Sequence, residues 1–236
     1  MQVLAFNSSP NLEKGGTGKI LTPFLEGMKE AGAKVELVYV HKLTIKPCRG
    51  CYHCWTKSPG KCIQKDDMAE ILPKMAAADI IVLGTPVYVD GMTGTMKILM
   101  DRSIPLMKGI WEVRDSHCRH PSRDHVKKGK IVLVSVCGFT ENDNFDPLLV
   151  HIKALSRNMN REFVGAVVRP YAWGLSMLEQ RGIKIDDIIH AAKEAGVQAV
   201  KDGKISAKTL ATVSREIVPR EEIINHLNPY YEQFES

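Results

Sequence analysis

No stretch of this 236-residue chain stays apolar for long. The runs that exist, such as Ile80 to Leu83, fall far short of the ~20 apolar residues that a membrane helix needs. No membrane partner is expected. The N-terminus has no basic segment leading into an apolar stretch and a cleavage site, because Met1 to Phe6 runs straight into a polar loop. The expected location is therefore cytoplasmic. Positive charge is present but not concentrated. The formal net charge is +5, and the densest basic stretch, Arg114 to Lys130, is interrupted by Asp115 and Asp124. A nucleic-acid footprint needs a basic face, so no nucleic-acid partner is expected. Internal repeats and low-complexity segments are also missing. So are two nucleotide motifs. A phosphate loop ending at Gly18-Lys19 would need glycine at 13 and Ser or Thr at 20, and the chain has Glu13 and Ile20. No G-x-G-x-x-G follows the first strand. Nucleoside triphosphates and a Rossmann dinucleotide site are both disfavoured.

What is present is an alternation of apolar runs and amphipathic segments. Val3–Phe6, Lys34–Val40, Ile80–Gly84, Lys130–Val136 and Phe163–Val168 read as buried strands, continuous rather than alternating, as parallel sheets require. Between the first two, Ile20, Leu21, Phe24, Leu25 and Met28 share one helical face, closed by Gly32. Asp66 or Asp67 caps a helix running towards Ala78, which Pro73 should kink or shorten. A further helix ends near Arg102, and another follows residue 144. Helical periodicity resumes over about 186–202, 206–213 and 220–234. Such β-α-β units build parallel sheets with right-handed crossovers. Residues 1–170 read as one doubly wound α/β domain and 171–236 as a helical C-terminal extension. The connection 103–128, rich in His, Arg and Pro, reads as a mobile polar lid. A metal site at Cys118 with His117 and His120 is the other reading of it. For the aromatic end of the tail, Tyr230, Tyr231 and Phe234, two readings stand: packing on the parent domain, or an oligomer contact.

In an open α/β sheet, ligands bind beyond the carboxyl ends of the strands. Three loops there look specialised. Asn7 to Gly18 combines hydroxyls, glycines and a helix N-terminus, which together make an anion site; an N-capping loop without ligand is the plainer reading. Thr85 to Gly94 offers a stiff exit at Pro86, a flat aromatic at Tyr88, and glycines at 91 and 94 that let a ring approach the backbone. An ordinary turn is its plainer reading. Cys137 to Asn142 is the third.

Six cysteines are present, and four of them, Cys48, Cys51, Cys54 and Cys62, fall within fifteen residues. Without a secretion signal, such clustering points to metal or redox chemistry before structural disulfides. An iron–sulfur centre, a tetrahedral zinc and no metal at all remain open on spacing alone.

Ser8-Ser9-Pro10 after the first strand, Pro86-Val87-Tyr88 with Gly91 after the third, Lys97 and Asp101-Arg102 in the next helix, and Ser135 to Phe139 after the fourth together resemble the NADPH-dependent FMN reductase family. The cysteine segment is similar, more narrowly, to the iron–sulfur flavoproteins within it. The resemblance covers about residues 1–170. It implies a flavodoxin-like, doubly wound, five-stranded parallel sheet in the order 2-1-3-4-5 with FMN at the switch point. By the same resemblance, Ser9, Asn11, Thr17 and Gly18 would hold the FMN phosphate. Pro86, Val87, Tyr88 and Gly91 would line the isoalloxazine, with Cys137 and Gly138 closing its far side. Cys48, Cys51, Cys54 and Cys62 would ligate a [4Fe–4S] cluster. Where the family often carries Arg or Lys after Ser-Pro, this chain has Asn11, with Lys14 or Lys19 as substitutes.

The expected function is an FMN-dependent NAD(P)H oxidoreductase, a homodimer or homotetramer, delivering electrons to a small-molecule acceptor such as a quinone or flavin. No catalytic acid or base is named, since hydride transfer requires none. The alternative is an iron–sulfur flavoprotein relaying electrons between FMN, a [4Fe–4S] cluster and ferredoxin, a partner whose acidity the basic charge would suit. A third reading is a flavodoxin-like binding module without flavin.

Overall fold

The computed structural model describes residues 1–235. Its sheet is made of β1 (Gln2–Asn7), β2 (Lys34–Tyr39), β3 (Ile80–Pro86), β6 (Lys130–Val136) and β7 (Glu162–Arg169). The strands lie in the order β2-β1-β3-β6-β7, every pair parallel. This is the expected flavodoxin-like order. The fourth and fifth strands are β6 and β7 because β4 (Glu112–Arg114) and β5 (His117–Arg119) form a separate antiparallel hairpin. Register aligns the carboxyl ends: Asn7 of β1 sits beside Gly84 of β3, and Pro86 beside Val136 of β6.

Both faces of the sheet are covered, which is why its strands read as unbroken apolar runs. Val3, Ala5, Val82, Val132 and Val134 point to one side, with α1 (Gly16–Glu30) and α6 (Asp186–Lys201). Leu4, Phe6, Leu83, Ile131 and Leu133 point to the other, with α2 (Met68–Ala77), α3 (Gly94–Asp101) and α4 (Asp146–Asn158). Each fully buried Leu, Ile, Val or Phe contributes ~1.5–3 kcal/mol. The α1–α6 contact is unusually close. A Cβ on Gly27 would lie 1.9 Å from the Lys193 carbonyl oxygen, and one on Gly196 would lie 1.9 Å from that of Phe24. Only glycine at both positions permits this crossing. Beyond it, α7 (Ala207–Ser214) packs on α6 and β7, while Ile223 of α8 (Arg220–Glu232) meets Leu178 of α5 (Leu175–Gln180) and Tyr171, which precedes that helix.

Three local outcomes bear on the sequence reading. Helix α2 is short, ten residues, with Pro73 on its exposed face and its end four positions later. The connection 103–128 carries the β4–β5 hairpin. Asp115 and Ser116, both at positive φ, turn β4 into β5, and Arg114 Nη2 ties the hairpin to the Arg157 carbonyl at 2.9 Å. The Trp55 indole donates to the Ile104 carbonyl at 3.1 Å and meets the His120 ring at a tilt, 4.5 Å between centroids. The arm therefore lies on the cysteine segment and the end of α4. The third concerns Tyr230, Tyr231 and Phe234. These make edge-on ring pairs at 5.1 and 5.5 Å and stay more than half exposed.

Candidate functional site

The loop after β1 is shaped by its own short side chains. Ser8 donates its amide to the Gly84 carbonyl at 2.9 Å, which carries the chain across the top of β3. The Asn7 carboxamide accepts from the Ser9 amide at 2.9 Å, and Ser9 Oγ accepts from the Asn11 amide at 3.3 Å. A single 3-10 turn, Leu12–Lys14, then drops into α1. Its fit is tight. A Cβ on Gly18 would sit 2.2 Å from the Glu13 carbonyl oxygen, and one on Gly15 would sit 2.8 Å from Ser9 Oγ. Gly15 is the N-cap of α1 and offers no side chain to it, so the amides of the first turn have no side-chain acceptor. Thr17 Oγ1 is buried there without any hydrogen-bond partner. A buried hydroxyl left unpaired costs ~1–3 kcal/mol. The combination is an anion cradle: uncapped amides, the positive end of a fifteen-residue helix, and an orphaned hydroxyl.

The loop after β3 turns sharply. Tyr88 and Gly91 exchange backbone hydrogen bonds at 2.9 and 3.2 Å, with Val89 and Asp90 both at positive φ between them. This two-residue turn pushes the Tyr88 ring outward, half exposed. Val87 donates to the Val136 carbonyl at 2.7 Å, tying the loop to β6. The loop after β6 is held by the end of the neighbouring strand β7 and the residues that follow it. Cys137 donates its amide to Arg169, and the Ala172 and Tyr171 amides return to the Cys137 and Phe139 carbonyls at 3.1 and 2.8 Å. Burial pushes the Cys137 thiol above its ordinary pKa, so it sits neutral as a small apolar group.

These loops enclose a cleft of about 220 Å³ at the carboxyl ends of β1, β3 and β6. Of the residues expected to bind FMN, Ser9, Asn11, Thr17, Pro86, Val87, Tyr88, Cys137 and Gly138 line it. Gly18 and Gly91 do not. Gly18 acts one layer back, where its missing Cβ admits the 3-10 turn, and Gly91 closes the turn that carries Tyr88. Lys19, a substitute for the missing family cation, is turned away to Glu179 of α5. Trp173 also lines the cleft, unforeseen from sequence. Its indole donates to the Gly138 carbonyl at 3.0 Å and its ring meets Tyr171 edge-on at 5.3 Å. The signal for it would have been an aromatic four residues beyond the fifth strand, on the edge where the other loops converge.

The four clustered cysteines line one small cavity of about 20 Å³, walled by Tyr52, Ile63, Arg102, Ile104 and Pro105. Cys48 and Cys51 are exposed, Cys62 is half-buried and Cys54 is buried. Burial first, and the neighbouring Cys62 second, push the Cys54 thiol up. Among the described residues, no three His, Cys, Asp or Glu side chains come close enough together to hold one metal ion. That holds equally for Cys118 with His117 and His120. A broader groove of about 650 Å³ lies between α2 and residues 59–64 and shares Cys62. It lacks the orphaned hydroxyl and lies away from the carboxyl ends of the strands, so the cofactor reading stays with the smaller cleft there.

A doubly wound sheet with an anion cradle and an aromatic-walled cleft at its switch point defines a flavodoxin-like protein. The NADPH-dependent FMN reductase family matches residues 1–167, and the chain belongs to that family. An iron–sulfur flavoprotein of Archaeoglobus fulgidus is 40% identical over 115 residues, 49% of this chain and 55% of that protein. One of Methanocaldococcus jannaschii is 41% identical over 110 residues, 47% of this chain and 55% of that protein. The chain thus spans about half the length of these curated relatives. Among solved structures, an FMN-dependent NADH-azoreductase of Bacillus anthracis superposes with a TM-score of 0.60 at 15% identity, covering 85% of this chain and 99% of that one. An NAD(P)H:quinone oxidoreductase of Methanothermobacter marburgensis gives 0.59 at 15%, covering 84% and 95%. At such identities the likeness is one of fold. Among the described residues, no helix is long and apolar enough to cross a membrane.

Proposed function

We propose that this protein is an FMN-dependent NAD(P)H oxidoreductase that passes electrons from a nicotinamide to a small acceptor such as a quinone or a flavin. The observation that carries this is the first turn of α1, where uncapped amides and the partnerless Thr17 hydroxyl await an anion at the sheet's switch point. A phosphate supplies the missing acceptor, and the residues present fit FMN. When bound, FMN supplies the hydride and electron chemistry. Ser9, Asn11 and Thr17 hold the phosphate, with Gly18 allowing the loop its close approach. Pro86, Val87 and Tyr88 form one wall for the ring, while Cys137 and Gly138 form the other. Trp173 shields the mouth from water. The neutral, apolar Cys137 thiol is a spacer and not a nucleophile. The matches to reductases of azo compounds and quinones support a small acceptor. We expect a homodimer or homotetramer working in the cytoplasm.

A second reading is favoured by the convergence of four cysteines on one cavity. It makes the protein an iron–sulfur flavoprotein, with Cys48, Cys51, Cys54 and Cys62 holding a [4Fe–4S] cluster and ferredoxin as the exchange partner. Four thiolates on a single zinc at ~2.3 Å each must crowd together. In a four-iron cluster each cysteine binds a different iron, so wider spacing suits it better. The matches to archaeal iron–sulfur flavoproteins support this.

Anaerobic purification, followed by an absorption spectrum with iron and acid-labile sulfide assays, tests both. Flavin bands with NAD(P)H-dependent bleaching support the first reading. About four irons per chain beside the flavin support the second. A colourless protein with no affinity for added FMN refutes both.

A further inference from the structure

Arg102, the residue that ends α3, is almost wholly buried, as is the carboxylate facing it, Asp66. Burying a guanidinium is costly unless its donors are used; here both terminal nitrogens are fully engaged and Nε alone has no partner. Nη1 donates to Asp66 Oδ2 and to the Lys46 carbonyl, both at 2.6 Å. Nη2 donates to Asp66 Oδ1 at 3.0 Å, closing a bidentate fork. Its remaining hydrogen points at Cys62 Sγ, 3.4 Å away. Asp66 is fixed in turn. Its two oxygens accept from the Lys46 amide at 3.1 Å and the Met68 amide at 3.2 Å. A rigid, fully buried cation is thus aimed at one of the four clustered sulfurs and lines their cavity. A planar fork held this way has one orientation, unlike a lysine on its flexible stem.

We propose that Arg102 is a positioning residue for Cys62 which, through a hydrogen bond to its sulfur, raises the reduction potential of the iron–sulfur centre held by the four cysteines. The inference rests on the cluster reading above. Reduction adds negative charge to the centre and its thiolate ligands. A hydrogen bond to a ligand sulfur stabilises that charge, so it favours the reduced form. The Asp66 carboxylate offsets the guanidinium's net charge at longer range. The local effect therefore comes from the directed N–H···S contact more than from charge as such. Asp66 plays the supporting part of holding the fork in place.

The double substitution Arg102→Met with Asp66→Asn separates the two contributions, because it removes one charge of each sign and leaves the net charge unchanged. It also avoids stranding a buried carboxylate. Wild-type and variant proteins are purified anaerobically, assayed for iron and sulfide, and titrated electrochemically with the reduced cluster followed by electron paramagnetic resonance. The expected result is full iron loading in both, with the variant's oxidised-to-reduced ratio about tenfold higher at a given potential, a downward shift of about 59 mV for one electron. Arg102→Lys keeps the charge beside Asp66 but loses the fork. It serves if the double variant does not take up iron, and it should shift the potential in the same direction by less. A cluster that loads equally and titrates at the wild-type potential in these variants overturns the proposal. Wild-type protein that takes up no iron overturns the cluster reading itself, and this inference with it; the iron assay distinguishes the two failures.

Discussion

The cleft at the strand ends and the cysteine pocket beside α3 are built in opposite ways. The cleft uses backbone amides, glycines and uncharged side chains, and among the described residues no ion pair holds its three loops to one another. It inherits its shape from the register of β1, β3 and β6, which brings three loop mouths to one edge. The cysteine pocket draws on an irregular segment, residues 43–67, which contributes no strand to the sheet. Its geometry depends on one buried ion pair, Arg102–Asp66, and on an arm that folds over Trp55. A site placed by the fold tolerates local change. A site placed by one charged contact does not.

The largest effect should come from breaking that contact alone. Arg102→Met leaves Asp66 buried and unpaired, which costs about 3–5 kcal/mol. Urea unfolding should show this loss, and a change under 1 kcal/mol would mean the pair contributes little. Next is Gly18→Ala. Its methyl meets the Glu13 carbonyl oxygen, so the 3-10 turn must move. Such overpacking costs about 1–3 kcal/mol, and the FMN Kd should rise at least tenfold with it. An unaltered Kd would detach the turn from cofactor binding.

Thr17→Val sharpens the contrast, because two readouts should move in opposite directions. The apo protein should hold its stability or gain slightly, having lost an unpaired buried hydroxyl. FMN affinity should fall about tenfold, the value of one hydrogen bond to a charged acceptor. Weaker apo protein with unchanged affinity would assign Thr17 to the scaffold. Acidification separates the regions more gently. Burial by itself would raise the Asp66 carboxyl; hydrogen bonds from Arg102 and from the Lys46 and Met68 amides outweigh it and hold the group below its ordinary range. Its stabilising contribution is complete above the unfolded value of ~4 and fades as pH falls below that. Hydrogen exchange at pH 3 should therefore loosen residues 43–67 ahead of β1. Simultaneous loosening would contradict that order. The smallest effect belongs to Trp173→Phe. Loss of its bond to Gly138 should change FMN affinity only a few-fold, while FMN quenching of indole emission should drop clearly. Quenching that persists undiminished would place another tryptophan nearer the cleft.

Much of this architecture was legible because burial on both faces leaves an unmistakable trace. Runs such as Ile80–Gly84 and Lys130–Val136 can be little other than inner strands, and the helices between them follow. The cleft followed from the loops after those strands, and eight of the ten residues expected to bind FMN meet there. Gly18 and Gly91 carried a different signal. Their lack of a side chain serves neighbouring backbone, and sequence cannot say whether a glycine makes room for a ligand or for the chain itself. Trp173 was missed because it lies past the fifth strand, in a segment whose pattern was read only for helices. The hairpin was missed because each of its strands has three residues, too few to show alternation, and its turn is Asp115-Ser116 rather than a glycine pair. Arg102 stood in view as part of a motif, but its burial against Asp66 depends on segments far apart in sequence.

The glycine crossing of α1 and α6 also governs the order in which the molecule can mature. α6 covers the α1 face of the sheet, yet it is encoded near residue 200, after all five strands. While the chain grows on a ribosome, Val82, Val132 and Val134 can gather with α1, but one side of the assembly stays wet until Gly196 emerges to meet Gly27. Until that segment has emerged, the growing chain therefore carries an open-faced sheet. Closure by two residues without side chains is what ends its exposure to other sticky surfaces in the cell.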